Sequence, residues 1–502
     1  MVISYTKLFL FLGAIAIIPG CKTNNDGEKI ARKYCSSCHL FPEPSLLTQY
    51  TWKNNVLPAM GKLMGVSHLG NNPFENSDYR FEKHQASIAD KDWKQVVAYY
   101  LAEAPLHAEP QARPEVKNFT SRFEAKQPLP ISGAPANTFI KIDPGNRWLY
   151  AANRSDSSLY IYDHQLKLIS KELVHCVLTD ICFENEIRKP GSREGILTDI
   201  GIMDPNDLRT GRVDLFHLTK AGKFSSILKK FDTLRRPVQS LMADLNMDGK
   251  MDYIVCGFGN TEGAFYWMQN KGNGTYKQKI LQSLPGAIKA YVDDCNHDGL
   301  PDIVTLFAQA QEGICLFLNK GNGIFETKKL LEFPPVYGSS YFELRDMNGD
   351  GYKDIIYTCG DNADYSSQSL KNYHGIYIFI NNGDFSFKQL YFFLLHGAYK
   401  AVARDFDMDD DMDIAAISFF PDRKNQPQES FLYLENQGHL KFEHFTIREF
   451  NEGHWITMDA EDMENDGDDD IVIGSLFLPH ETSKDDFTWK PFFLLLKNQT
   501  IR

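Results

Sequence analysis

The chain is poor in several things, and each shortage excludes something. It holds 9 cysteines in 502 residues, and no second Cys-x-x-Cys accompanies Cys35 and Cys38. The next cysteine after Cys38 is Cys176, and His68 and His84 lack finger spacing, so a zinc knuckle is short of ligands. The formal net charge of −13 leaves no basic footprint for nucleic acid. No apolar run beyond residue 20 is long enough to span a bilayer. No Ser/His/Asp spacing, phosphate loop or carboxylate pair stands out, so no catalytic centre is legible. Apolar residues at 43% and aromatics at 13% are ample for packed cores. The length implies more than one folded unit.

The acidity is uneven. Much of it falls in short Asp-rich clusters after residue 240, which points to bound cations rather than a generally acidic surface. At the other end, Lys7 is followed by LFLFLGAIAIIPG and then Cys21. This run is too short to span and stay. It resembles a bacterial lipoprotein signal, with an ordinary secretory peptide as the other reading. The resemblance implies that 1–20 is removed, that Cys21 carries lipid and that 21–25 is a tether. Lys22 rather than Asp follows the cysteine. The chain is therefore expected to be lipid-anchored to the outer membrane of a Gram-negative bacterium, on the periplasmic or cell-surface side, with no other membrane contact. Export permits disulfides. Cys176 and Cys182 are either a pair or two core residues, while Cys256, Cys315 and Cys359 lie in apolar, strand-like runs.

Residues 34–39 read YCSSCH. Cys-x-x-Cys-His is the attachment signature of haem c: two thiols bond the macrocycle edge and the adjacent His ligates iron. Cys35 and Cys38 are the expected attachment points and His39 the proximal ligand of one covalent haem. GEKIARKY leads in as a helix. KDWKQVVAYYLAEAP is a second helix, capped by Asp90, with Trp93, Val96, Val97 and Tyr100 at helical spacing. Residues 26–108 resemble a small cytochrome c, which packs its first and last helices together beside the haem. Pro58 is expected to stop a helix just before Met60. Met60 is the expected sixth ligand, with Met64 as alternative and His68 third. Residues 109–136 are rich in proline and read as an extended linker.

One loop recurs five times: DLNMDGKMD, DCNHDGLPD, DMNGDGYKD, DFDMDDDMD and DMENDGDDD. Positions one, three, five and nine offer oxygens for calcium. The sets are Asp244, Asn246, Asp248 and Asp252; Asp294, Asn296, Asp298 and Asp302; Asp346, Asn348, Asp350 and Asp354; Asp405, Asp407, Asp409 and Asp413; and Asp462, Glu464, Asp466 and Asp470. Up to five ions are expected, with metal-free Asp turns as the alternative. The fourth loop has Asp410 where glycine is expected, which weakens it. Strands follow every loop and no Glu stands at position twelve, so these are not EF-hands. The units resemble the FG-GAP or VCBS repeats of integrin α-subunits and bacterial surface proteins. That resemblance implies one four-stranded blade per repeat. Two hairpins upstream, SLYIYDHQLKLISKEL and RVDLFHLTKAGKFSSILKKF, extend the count to seven. The expected fold is mainly β: a seven-bladed propeller over 137–502 behind a small all-α domain. The last blade ends one strand short, and residues 119–126 are expected to supply that strand.

The segments before the Asp loops bring Arg235, Arg236, Lys289, Tyr337, His396, Lys400, His454 and Trp455 to one end. An insertion adds Asp361, Asn362, Asp364, Lys371, Tyr373 and His374. They read either as a funnel for an anionic or sugar-like ligand or as ordinary rim residues. Two functions follow. One is electron transfer with a redox partner protein, the propeller holding a small-molecule substrate, in a layout similar to propeller dehydrogenases fused to cytochrome c. The other is a surface module that binds glycan or protein, with the cytochrome as an accessory.

Overall fold

The structure is a computed structural model. It describes residues 25–66, 87–109, 114, 116, 118–131, 134–175, 177–184, 190–363, 370–477 and 490–501. Cys21, His68, His84, Cys176 and Asp364 lie outside the described residues.

Among the described residues, twenty-eight strands make seven blades of four, at 137–173, 178–234, 237–282, 287–332, 339–394, 398–446 and 455–498. The last of these holds only three strands from its own segment. Its outermost strand is Phe123–Lys126, antiparallel to Phe493–Asn498, with Phe123 opposite Asn498. A short extra strand, Asn118–Phe119, lies parallel to the outer edge of the sixth blade. The fold is therefore a seven-bladed β-propeller whose ring is closed by chain from the N-terminal side.

Second strands such as Asp302–Phe307 and Asp354–Cys359 are buried along their whole length, whereas the outer strand Phe325–Glu332 mixes half-buried and exposed residues. This is why second strands read as continuous apolar runs and outer strands as amphipathic ones. Cys256 and Cys359 are buried in these runs and Cys315 is half-buried.

Every seam between blades is stitched beside the central channel by at least one hydrogen bond. Thr138 Oγ1 donates to the Leu178 carbonyl (2.7 Å). Asp180 accepts from Ser240 N–H (3.4 Å), and Gln239 from Ala290 N–H (2.7 Å). Tyr291 OH donates to the Phe342 carbonyl (3.3 Å), and Glu343 accepts from Ala403 N–H (2.7 Å). Lys400 Nζ donates to the Met458 carbonyl (2.7 Å). Asp459 accepts from Ile142 N–H (2.8 Å) and closes the belt.

The N-terminal module is helical: Asn25–Cys35, Leu57–Leu63 and Asp90–Glu103, with shorter turns between. The first and last of these helices pack together. Two local expectations are corrected. Ala89, not Asp90, is the N-cap, and Asp90 stands in the first turn, where its charge suits the helix dipole. Pro58 does not stop a helix. It lies inside unbroken helical backbone, where the π-helical turn Trp52–Val56 passes directly into Leu57–Leu63.

Among the described residues, no helix is long and apolar enough to cross a membrane.

Candidate functional site

The first centre is the cysteine pair. Cys35 ends the first helix and is half-buried, Cys38 is exposed, and His39 Nδ1 lies 2.9 Å from the Leu40 carbonyl. Cys35, Met60 and Met64 all pack on one apolar cluster that includes Trp52, Leu57, Trp93, Tyr99 and Tyr100. Met60 lies within the second helix and Met64 is its C-cap, so both thioethers come from the same element. Burial raises the Cys35 thiol, with Tyr100 as a hydrogen-bond neighbour opposing it. Trp93 is 3% exposed, and its buried indole N–H has no hydrogen-bond partner. A buried donor left without an acceptor costs about 1–3 kcal/mol. Two thiols, an adjacent imidazole, two nearby thioethers and an orphaned donor fit a covalently held haem.

The five Asp loops join the first and second strands of blades three to seven. Their geometry repeats closely. Residues four and six have positive φ, Met247 and Gly249 in the first loop and Met408 and Asp410 in the fourth. Asp410 thus takes the left-handed conformation that glycine takes in the other four. The carboxylate at position one accepts the N–H groups of positions five and six at 2.7–3.2 Å in all five loops.

Position nine does a second job. Asp252, Asp302, Asp354, Asp413 and Asp470 are fully buried. Each accepts, at 2.7–2.8 Å, the backbone N–H of an asparagine ending the third strand: Asn270, Asn319, Asn381, Asn436 or Asn498. Those asparagine side chains in turn donate to the position-eight carbonyl. This Asp–Asn latch was missed in the sequence. Its signal is an Asn at the end of each third strand, in QNKG, LNKG, INNG, ENQG and KNQT.

Burial raises these carboxyls, Asp354 to about 6 and Asp413 to about 7. Desolvated carboxylates are suited to a cation. The oxygens at position three point the same way. Asn246 Oδ1, Asp407 Oδ1 and Glu464 Oε2 are buried and have no hydrogen-bond partner. Asp405, Asp407 and Asp409 bring one oxygen each to within 4.8 Å of one another. The loop expected to be weakest is thus the one whose carboxylates converge. Ligand chemistry and orphaned acceptors both fit calcium.

The expected funnel is not one pocket. His374, His396 and Trp455 are fully buried, and the Trp455 indole donates to the Phe450 carbonyl (3.0 Å). Lys400 belongs to the stitching belt. Lys289 lies in the channel against Tyr291 and Tyr341, with its ammonium 4.9 and 5.7 Å from the ring centres. Burial lowers the pKa of both lysines, Lys400 to about 8. Asp180, near Lys289, and Asp459, near Lys400, oppose this. The channel therefore mixes both signs. Arg235 pairs with Glu262.

Part of the expected set does meet at the end where the inner strands begin. Arg236 donates to the Met203 carbonyl (2.8 Å) and to the Gly259 carbonyl. Met203 and Tyr399 pack on a cluster of Phe419, Phe420 and Leu476. His454 lies 4.4 Å from Phe477 and 6.4 Å from Phe419, centre to centre. The result is an aromatic floor flanked by guanidinium and imidazole. On the same face, Tyr337 stacks on Tyr373 (4.5 Å, 11°), and His374 lies against His396 (5.6 Å, 22°).

Residues 244–305 and 294–357 match the FG-GAP-like repeat family. These segments are FG-GAP-like repeats. They contain the first three Asp loops. No curated protein matches the chain. Among solved structures, the β-propeller domain of Myceliophteria thermophila Cps50 (Swd1) aligns with a TM-score of 0.44 and 10% identity, over 75% of this chain and 99% of that one. The Dos1 propeller aligns at 0.43 and 6%, over 72% and 77%. BBS1N in complex with ARL6DN aligns at 0.43 and 8%, over 77% and 98%.

Proposed function

We propose that the protein is an exported, lipid-anchored haem c protein of the outer membrane, held there through Cys21. In this reading it passes electrons to a redox partner protein while its calcium-stabilised propeller holds a substrate. Cys35 and Cys38 would hold the haem by thioether bonds, and His39 and Met60 would ligate iron, with Met64 as the alternative to Met60. Bound haem c supplies a one-electron redox centre. The five Asp loops would each take calcium.

The observation that carries the reading is that Cys35 shares one apolar cluster with Met60 and Met64. The floor around Arg236, Tyr399, Phe419 and His454 is where a small or sugar-like ligand would sit. Its aromatic faces and the half-buried His454 imidazole suit such a ligand. The test is expression with a haem-attachment system, then mass measurement and a reduction assay across sugars and alcohols. A mass increase of one haem, with reduction on adding one substrate, is expected. An unmodified chain would sink the haem reading.

A second reading is a binding module for glycan or protein with an accessory cytochrome. It is favoured by the floor itself, which among the described residues presents rings and an imidazole rather than a nucleophile beside a base. Haem that stays oxidised across the panel, together with retained glycan binding, would decide for it.

A further inference from the structure

The apolar cluster that holds Cys35, Met60 and Met64 does not end with the N-terminal module. Val336 and Tyr373 of the fifth blade are buried members of it, and Tyr337 packs on its edge. The propeller builds this patch with its own bonds. Tyr373 OH and Lys371 Nζ both donate to the Val336 carbonyl, at 3.1 and 3.3 Å. The Tyr373 carbonyl accepts from Tyr377 OH (2.6 Å) and Cys359 Sγ (3.1 Å). Buried Glu312 accepts the N–H of Ser339 (2.9 Å), which fixes the segment from the other side. Gly338 between them has φ +70°, and a Cβ there would meet the Asp361 carbonyl at 2.5 Å. The patch is therefore rigid before anything docks on it.

The chain leaving the module is also seated soon after it ends. The last helix stops at Glu103, and Val116 is already 4% exposed, in the core of blades five and six with Ile376, Phe393 and Leu395. Asn118–Phe119 then joins the edge of the sixth blade. The stretch expected to be an extended linker is thus partly built into the propeller.

We propose that Val336, Tyr337 and Tyr373 are part of the haem pocket wall, so that the group is enclosed by both domains. This rests on the haem reading above. A helical unit of this size buries too small a share of its surface to be robust alone. An apolar wall lent by the propeller would enlarge its core and exclude water from the thioether side.

The test uses the full chain with haem attached, in wild type, Tyr337→Ala, Tyr373→Ala and Tyr373→Phe. Haem absorbance and far-ultraviolet dichroism are followed during heating. In wild type the two transitions coincide. In both alanine variants the haem transition falls by about 5 °C or more below the propeller transition. Tyr373→Phe keeps the ring and stays close to wild type. A haem transition unchanged in both alanine variants would overturn the proposal.

Hydrogen exchange gives a second measurement that does not depend on those variants folding. Wild type is compared with the haem-free Cys35→Ala/Cys38→Ala chain. Residues 333–339 and 370–375 should exchange more slowly in the haem-loaded protein, and equal rates would overturn the proposal. A wild type without haem mass fails at the earlier step and removes both readings together.

Discussion

The Arg122 guanidinium lies 3.0 Å from the Glu435 carboxylate and so joins the closing segment to the sixth blade. It also reaches Asp407 (3.4 Å) and Thr500 Oγ1 (3.1 Å). One side chain therefore touches both blades beside the ring closure and the third position of the fourth Asp loop.

Arg122→Ala should lower stability by about 1–3 kcal/mol, because it leaves two part-buried carboxylates without their cation. Arg122→Lys should recover little, since one ammonium cannot reproduce the fork. Urea unfolding measures both. A lysine variant equal to wild type would mean that charge alone matters.

Calcium removal should lower the melting temperature, and added calcium should restore it, as expected for an ion held only by the folded state. Asp407→Ala should reduce the calcium-dependent part of the shift. A melting curve indifferent to chelator would mean that the Asp loops are metal-free turns.

Glu312 gives a pH dependence. Burial pushes its carboxyl up to about 7, against hydrogen bonds from Ser339 and Gly338. The folded state then holds this proton more tightly than the unfolded chain, whose Glu titrates near 4.3. The stability linked to this proton is present in full below about pH 4 and is lost as pH rises through 7, about 3–4 kcal/mol in all. Glu312→Gln should flatten that slope. A variant with the wild-type slope would place the titration elsewhere.

Met60→Ala should abolish the low-spin, Met-ligated haem spectrum, while Met64→Ala should leave it in place. The reverse pattern would exchange the two assignments. Optical spectra of the oxidised protein are enough to decide.

Much of the propeller was legible because its signals are local and repeated. An Asp loop running into an apolar strand marks a blade five times over, and after the first four a hairpin with an Asn/Gly/Asp-type turn follows. Trp455 and His396 show the limit. They were placed at the correct end of their strands, but sequence spacing does not say that closure of a ring turns a side chain inward. The Asp–Asn latch escaped for another reason. The separation is 17 residues from Asp302 to Asn319 and 28 from Asp470 to Asn498, so no fixed spacing repeats. In the fourth loop Asp410 replaces glycine, and its backbone keeps the left-handed conformation, which Asp tolerates better than most residues do.

The closing strand also sets an order in time. Arg122 and Thr500, bonded across the closure, are 378 positions apart. The closing strand leaves the ribosome long before its partner Phe493–Asn498 is made. Until then the growing ring is an open crescent with a bare sheet edge at each end. Contacts of such long range make folding slow. Once shut, the same closure resists local opening, so the mature protein should endure through slow unfolding more than through a large equilibrium stability.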